Sequence, residues 1–192
     1  MTENEIIDIF KKTGVMLTGH FKLTSGRHSD HYMQCAHLFE YADYSEKLCA
    51  ILADAYRDAG VELVVGPALG GVIISYETAR ALKVRNIFAE RENGVMTLRR
   101  GFTVEPDTKV LVVEDVVTTG GSVREVMALM NERGANVVGV GCIVDRSNGK
   151  VDFGVPLKAV LSMEVVSYEE SECPLCKQGI PCVKPGSRNF HK

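Results

Sequence analysis

The chain has 192 residues, of which 45% are hydrophobic and 24% charged, and a net charge of −3. This length and composition are those of a globular protein with one domain and a sizeable core. The weak negative charge excludes a general nucleic-acid or membrane surface, so any anion site must be local. No apolar run reaches the about 18 residues of a membrane span, and no signal peptide is recognisable. We therefore expect a cytoplasmic protein whose six cysteines are thiols or metal ligands rather than disulfides.

The N-terminal part of the chain predicts two helices separated by a mixed segment. Thr2 and Glu5 form a capping box ahead of an apolar stretch, which predicts a short first helix. Residues 14–42 are mixed, with polar and glycine-rich stretches. Asp43 can cap a helix over about 44–59 that Gly60 ends.

Beyond residue 60, predicted strands and helices alternate. Strands are predicted at 61–65, 84–89, 109–114, 136–145 and 159–165, helices at 72–82 and 122–133, and a hairpin turn at 91–94. Because the strands are apolar throughout, we expect a mostly parallel sheet with helices on both faces. Ligands of such sheets bind beyond the carboxyl ends of the strands, where the loops 66–71, 115–121 and 145–149 would meet.

The stretch VLVVEDVVTTGGS at 110–122 places two adjacent acids at the end of a strand. Burying either charge unpaired would be costly, so Glu114 and Asp115 need water or a ligand. The small residues 118–122 let backbone N–H groups converge at a helix N-terminus, which binds phosphate. Since carboxylates accept hydrogen bonds from sugar hydroxyls, the stretch fits a ribose 5-phosphate. The alternative is a solvated strand end followed by an accidental turn.

The same stretch resembles the phosphoribosyl pyrophosphate (PRPP) motif of the type I phosphoribosyltransferases. Further stretches are similar to the short form of the orotate phosphoribosyltransferases, over nearly the whole chain: TSGRHSDHY at 24–32, GPALGG at 66–71, ERENG and LRRGF within 90–102, VDRSNG at 144–149 and the C-terminal CPLCKQGIPCVKPGSR. The resemblance implies an α/β type I phosphoribosyltransferase fold with a mostly parallel sheet flanked by helices and a small hood. It implies a single domain over 1–192, with the hood at about 14–42 and 155–192 and the core at about 43–154.

The implied reaction transfers the phosphoribosyl group of PRPP to orotate and gives orotidine 5′-monophosphate and pyrophosphate, in UMP biosynthesis. Mg²⁺ is the implied cofactor, held mainly by PRPP and water without a direct protein ligand. By the same resemblance Glu114 and Asp115 hold the ribose hydroxyls, and Ala68–Leu69 is a cis peptide bond in a pyrophosphate loop. The implied PRPP-binding set is Glu114, Asp115, Val116, Val117, Thr118, Thr119, Gly120, Gly121, Ser122, Ala68, Leu69 and Gly70.

Residues 90–101 resemble a mobile loop that closes over the site and reaches a second subunit, which implies a homodimer with shared active sites. Arg91 is the candidate cation for the leaving pyrophosphate and is predicted to be catalytic together with the acid pair. Arg99 and Arg100 are further candidates, and a solvated hairpin face is their alternative. Gly70 stands where many family members have a lysine, and the loop has no lysine or histidine, so the identity of the loop cation stays open.

Thr118, Arg146 and Tyr32 are the implied orotate contacts. A guanidinium is a good planar partner for the carboxylate and carbonyls of orotate. A surface ion pair with Asp145 is the alternative for Arg146, and a place in the core is the alternative for Tyr32. Two rival functions remain: the same fold acting on a purine base, and a PRPP-sensing regulator that binds nucleic acid, for which the chain lacks a basic face.

Cysteines and histidines form two further patterns. Cys173, Cys176 and Cys182, with His191, could bind zinc, but the second half lacks the usual spacing, and free thiols are the favoured interpretation. Four histidines lie at 20, 28, 31 and 37 with a spacing that fits no single face. They are interpreted as ordinary loop and surface residues.

Overall fold

The computed structural model describes residues 1–23, 25–164 and 166–185. The chain divides into two compact units, a smaller one built from residues 1–38 and the chain from 164 on, and a larger one over 39–163. This division differs from the predicted hood and core. The N-terminal helix belongs to the smaller unit, and the strand predicted near 159 joins the sheet of the larger unit, because it pairs along its length with the preceding strand.

The smaller unit contains a helix, a β-hairpin and a short C-terminal helical turn. Its elements are α1 (Glu3–Lys12), β1 (Met16–Lys22), β2 (His28–Met33) and α5 (Pro174–Lys177), and a 3-10 helix (Cys35–Glu40) follows β2. The predicted capping box is confirmed, because the Thr2 hydroxyl accepts from the Glu5 amide and the Glu5 carboxylate accepts from the Thr2 amide. The antiparallel β1–β2 hairpin was not predicted, since its burial does not alternate strictly along either strand.

The larger unit is built around a six-stranded sheet. Its strands are β3 (Leu63–Pro67), β4 (Arg85–Glu92), β5 (Val95–Thr97), β6 (Lys109–Val117), β7 (Asn136–Asp145) and β8 (Leu157–Ser162), in the order β5-β4-β3-β6-β7-β8. All neighbours are parallel except β5, which runs antiparallel to β4. Its helices are α2 (Ala42–Asp54), α3 (Gly70–Leu82) and α4 (Gly121–Glu132). The predicted parallel α/β architecture is confirmed.

Helices cover the sheet on both faces, which explains why its strands are apolar throughout. Val112 of β6 lies in one buried cluster with Val126 of α4. On β7, a Cβ added to Gly141 would lie 2.9 Å from a methyl carbon of Leu52 in α2. Since successive residues of a strand point to opposite faces, the glycine lets α2 approach the face away from α4.

Several predicted boundaries are wrong: the end of β6 bears on the site, and α2 ends at Asp54 rather than at Gly60. Strand β6 runs on to Val117 because Val116 and Val117 continue the pairing with β7, so Asp115 belongs to the strand with Glu114 and not to the loop after it. Helix α2 begins after Tyr41, whose carbonyl accepts the first helical hydrogen bond, so Asp43 lies inside the first turn. Among the described residues, no helix is long and apolar enough to cross a membrane.

Candidate active site

Two carboxylates lie at the carboxyl end of β6, in the middle of the sheet. Glu114 is 9% exposed and Asp115 is half-buried. Their oxygens turn back to the chain: Asp115 Oδ1 accepts from the Val116 amide at 2.7 Å, and Glu114 Oε1 accepts from the Asp115 amide at 3.2 Å. Burial, and then the charge of Asp115, raises the pKa of Glu114, and burial raises the pKa of Asp115. The pair therefore favours bound protons or a ligand that supplies hydrogen-bond donors.

The glycine-rich loop after β3 lies directly against this acid pair. A Cβ added to Gly70 would lie 2.7 Å from Asp115 Oδ2, so the carboxylate occupies the space that a side chain at position 70 would need. The Ala68–Leu69 peptide bond is cis, as predicted. The Ala68 amide donates to the Ala89 carbonyl of β4 at 2.7 Å, which fixes the start of the loop. The structure thus brings the predicted pyrophosphate loop and the predicted ribose acids together.

The loop after β6 leads into α4 through exposed, small residues. Thr118, Thr119 and Gly121 are exposed, and Gly120 has φ +74° at the N-cap of α4. A Cβ at this glycine would lie 2.7 Å from the ring of Phe153, so both conformation and space demand glycine. Ser122 stands in the first turn of the helix and is half-buried.

Helices α3 and α4 both begin at this edge of the sheet, and their N-termini differ from those of α1 and α2. Within the described residues, neither α3 nor α4 has a side-chain cap or an acidic residue in its first turn. By contrast α1 has a capping box, and both α1 and α2 carry acids in the first turn. The first amides of a helix lack helical partners and carry a partial positive charge. The two helix N-termini are therefore suited to bind anionic groups.

Arg146 lies beside the loop 118–122, which is predicted to bind phosphate. Its amide donates to the Val117 carbonyl at 2.8 Å, which places it next to Thr118 at the ends of neighbouring strands. The carboxylate of Asp145 accepts from the Ser147 amide at 2.8 Å. Two of the three predicted orotate residues are thus brought to one edge.

The third, Tyr32, belongs to the smaller unit. It is half-buried on β2, and its ring centroid lies 5.7 Å from that of Phe21. Its predicted contact with orotate stays a prediction.

The arginines of residues 90–101 all contact carboxylates. Arg91, at the end of β4, pairs with Glu125 of α4 at 2.6 Å, and the hydrogen bond to that carboxylate raises the pKa of Arg91. Arg100 pairs with Glu90 at 2.8 Å, and Arg99 with a further glutamate of β4. The segment includes the β4–β5 hairpin rather than a loop alone. Through Glu125, Arg91 contacts α4, the helix that follows the loop 118–122. Its role toward pyrophosphate stays a prediction.

A second group of chemically active side chains lies in the smaller unit. His20 and His28 are 3% and 2% exposed, so their interpretation as ordinary loop and surface residues is wrong. Both lie beside Cys173 and Cys176. Sequence reasoning separated these residues because the two pairs lie on segments more than a hundred residues apart, and the predicted fourth ligand, His191, lies outside the described residues.

Comparison with known proteins gives a consistent result. The model of the phosphoribosyl transferase domain family matches residues 40–165. A protein of Pelotomaculum thermopropionicum named orotate phosphoribosyltransferase is 63% identical over 190 residues, which cover 99% of this chain and 100% of the relative. One of the same name from Thermotoga maritima is 60% identical over 96% of this chain and 99% of its own length. The crystal structure of orotate phosphoribosyltransferase from Aeropyrum pernix is 25% identical and has a TM-score of 0.67, over 82% of this chain and 93% of that one.

Proposed function

The chain belongs to the orotate phosphoribosyltransferases of the phosphoribosyl transferase domain family, and from this premise we propose how its own residues carry out the reaction. The protein transfers the 5-phosphoribosyl group of PRPP to orotate, which yields orotidine 5′-monophosphate and pyrophosphate in pyrimidine biosynthesis. In that reaction the bond from the anomeric carbon to the pyrophosphate oxygen breaks, and a bond to a ring nitrogen of orotate forms.

The observation that carries the proposal is the meeting of a buried acid pair with two uncapped helix N-termini. PRPP has two ribose hydroxyls between a 5′-phosphate and a diphosphate. Hydroxyl groups would donate to Glu114 and Asp115, whose oxygens also accept from the backbone amides described above. The N-terminus of α4 would receive the 5′-phosphate, and the loop 68–70 at the start of α3 the diphosphate.

Binding of PRPP would change the electrostatics of the acid pair. Hydroxyl donors favour the ionised carboxylates and so oppose the upward pKa shift that burial produces. An ionised pair beside the ribose stabilises the positive charge that develops on the sugar as pyrophosphate departs. The site would act by positioning and by fixed charge, without a covalent nucleophile.

Mg²⁺ is proposed as the cofactor, held mainly by PRPP and water without a direct protein ligand, because the oxygens of a diphosphate are donors that this ion prefers. When bound, it would neutralise part of the charge of the diphosphate. The acid pair fits such an ion at the site, because Asp115 lies against the proposed diphosphate loop at Gly70 and its oxygens would accept hydrogen bonds from waters on the ion. Arg91 is the proposed protein cation for the leaving group.

Arg146 and Thr118 are the proposed base contacts. The guanidinium would pair with the carboxylate and a carbonyl of orotate, next to the sugar held by the acids. A purine base has no carboxylate, so Arg146 favours orotate over that rival. The net charge of −3 gives no support to a nucleic-acid-binding regulator.

A base panel tests the proposal. Purified protein is supplied with PRPP and Mg²⁺, and orotate, adenine, hypoxanthine and uracil are offered separately while base consumption is followed by absorbance. Consumption of orotate alone is the expected result. Consumption of adenine or hypoxanthine in its place would assign the site to purines, and binding of PRPP without consumption of any base would favour the regulator.

A homodimer in the cytoplasm completes the proposal. Leu69, Ile73 and Tyr76 lie along α3 and its N-cap and are 88, 44 and 58% exposed, an apolar strip that a second copy would cover. Residues 90–101 would then reach the partner's site. All six cysteines are free of disulfide bonds. Sedimentation analysis of the protein, with and without PRPP, measures the proposed dimer.

A further inference from the structure

Four side chains of the smaller unit converge on one point. Nε2 of His20 lies 2.9 Å from Nδ1 of His28, and the thiol sulfur of Cys173 lies 3.5 Å from the same Nε2. The sulfur of Cys176 lies 3.6 Å from Nε2 of His20 and 3.2 Å from Nδ1 of His28. All four atoms lie within 4.8 Å of one another. A tetrahedral zinc ion with ordinary bond lengths separates its nitrogen and sulfur ligands by about 3.3–3.8 Å.

The outer ring nitrogens of both histidines have polar neighbours that suit metal binding. Nδ1 of His20 lies 2.7 Å from the Ile180 carbonyl, an acceptor only, so this nitrogen carries the proton and Nε2 keeps its lone pair. Nε2 of His28 lies 3.9 Å from the Glu170 carboxylate, which leaves Nδ1 facing the cysteines. Metal-bound histidines commonly donate the other ring N–H to a carbonyl or carboxylate, as His20 does to the Ile180 carbonyl.

Backbone pairing holds the two halves of this cluster in register. Tyr168 and His28 exchange two hydrogen bonds of 2.8 Å, and Val183 is bonded to His20 and Lys22 at the same distance. The segment that carries the cysteines is therefore fastened to the hairpin on both sides. Cys173 is the N-cap residue of α5, so the Cys-x-x-Cys spacing turns both thiols toward one side of a single helical turn.

We propose that His20, His28, Cys173 and Cys176 bind one Zn²⁺ ion, which fastens the C-terminal segment to the β1–β2 hairpin. Two thiolates and two imidazoles form a tetrahedral set that zinc prefers among the common metals. The charges of two thiolates and Zn²⁺ cancel, which suits the buried positions of His20, His28 and Cys173. Four protein ligands leave no open position, so the ion is structural.

A structural ion also suits the size of the unit that contains it. The smaller unit has fewer residues than the about 70–80 at which a single hydrophobic core is enough for stability. Metal ions replace part of such a core because their binding free energy adds to folding. The site lies outside the residues of the proposed reaction, so its test does not depend on that reaction.

Metal analysis of the full chain tests the proposal. The protein is purified without a histidine tag or chelator, and zinc is measured by plasma mass spectrometry and by release to a colorimetric chelator after the thiols are blocked. One zinc per chain is expected. The Cys176→Ser variant is expected to lose that zinc, and Co²⁺ in place of zinc is expected to give the visible bands of a tetrahedral site with thiolate ligands, in the native chain alone.

Two matched variants distinguish these four ligands from their neighbours. Cys182, whose sulfur lies 3.9 Å from His28, and His31, on the same hairpin, are outside the set. Cys182→Ser and His31→Gln are expected to keep one zinc per chain, and loss of zinc in either would overturn the ligand set.

Folding of the variants is checked by circular dichroism. A further measurement uses only the native chain, so that the test does not depend on whether the variants fold. Protein stripped with a chelator is expected to gain thermal stability when Zn²⁺ alone is returned. A native chain that neither retains zinc nor gains stability from it would overturn the proposal.

Discussion

Replacement of Glu114 by glutamine removes a buried acid beside a second carboxylate, and we expect it to stabilise the ligand-free protein at neutral and higher pH. The ordinary pKa of this group is near 4.5, and burial and Asp115 raise it in the folded chain. A raised carboxyl pKa costs no stability below the ordinary value. The cost then grows as pH rises toward the pKa of the folded state, because the unfolded chain releases its proton first.

The size of this cost in stability follows from the difference between the ordinary pKa and the working pH. Each pH unit in this interval costs about 1.4 kcal/mol, so at about pH 7.5 the ceiling is about 4 kcal/mol. We expect Glu114→Gln to recover about 1–3 kcal/mol of this, because the two acids share their protons and Asp115 is only half-buried. For a chain of this length the gain corresponds to a rise in Tm of about 3–10 °C.

Thermal unfolding at about pH 5 and pH 8, without PRPP, measures the effect. The gain is expected at the higher pH and should nearly vanish at the lower one. Glu132→Gln, an exposed residue at the end of α4, serves as the control and should change Tm little at either pH. An equal change in Tm at both pH values, or a loss at pH 8, would refute the assignment of a buried, proton-retaining pair.

Three further substitutions test the proposed roles. Asp115→Asn should lower kcat by about 100-fold with the fold retained, since it keeps the shape but removes the charge beside the ribose, and unchanged turnover would remove that role. Arg146→Ala should raise the KM for orotate by about 10–100-fold, which corresponds to the loss of a charged hydrogen bond, and should raise the KM for PRPP far less. Equal effects on both KM values would place Arg146 outside the base site. Arg91→Ala should lower kcat by about 10-fold or more, while Glu125→Gln, which breaks the same ion pair, should not, and matching losses would reduce Arg91 to a structural role.

The main sheet could be predicted because its strands carry their own pattern. Strand β7 begins and ends at the predicted residues 136 and 145, since a continuous apolar run bounded by polar residues marks a strand buried on both faces. The acid pair and the small residues after it were likewise identified from local chemistry. The cis bond at Ala68–Leu69 was predicted through the family resemblance, because a single sequence carries no signal for it.

The incorrect predictions share one physical origin, because each depends on contacts between distant segments of the chain. The last residues of β6 form a strand only because β7 pairs with them. The local sequence, which leads into TTGG, therefore predicts an end of β6 that is too early. The hairpin of the smaller unit has no strict alternation, because the C-terminal segment covers His20 and His28 from outside. The four proposed zinc ligands are distributed over positions up to 156 residues apart, and only the Cys-x-x-Cys half has a sequence pattern.

One experiment tests the proposed reaction most directly: orotate loss and pyrophosphate release measured in the same reaction, for the native chain and for Asp115→Asn. With PRPP and Mg²⁺ present, the native chain is expected to release one pyrophosphate for each orotate consumed, and both rates should fall together in the variant. Pyrophosphate release without loss of orotate, or equal rates in the two proteins, would contradict the proposed transfer at this acid pair.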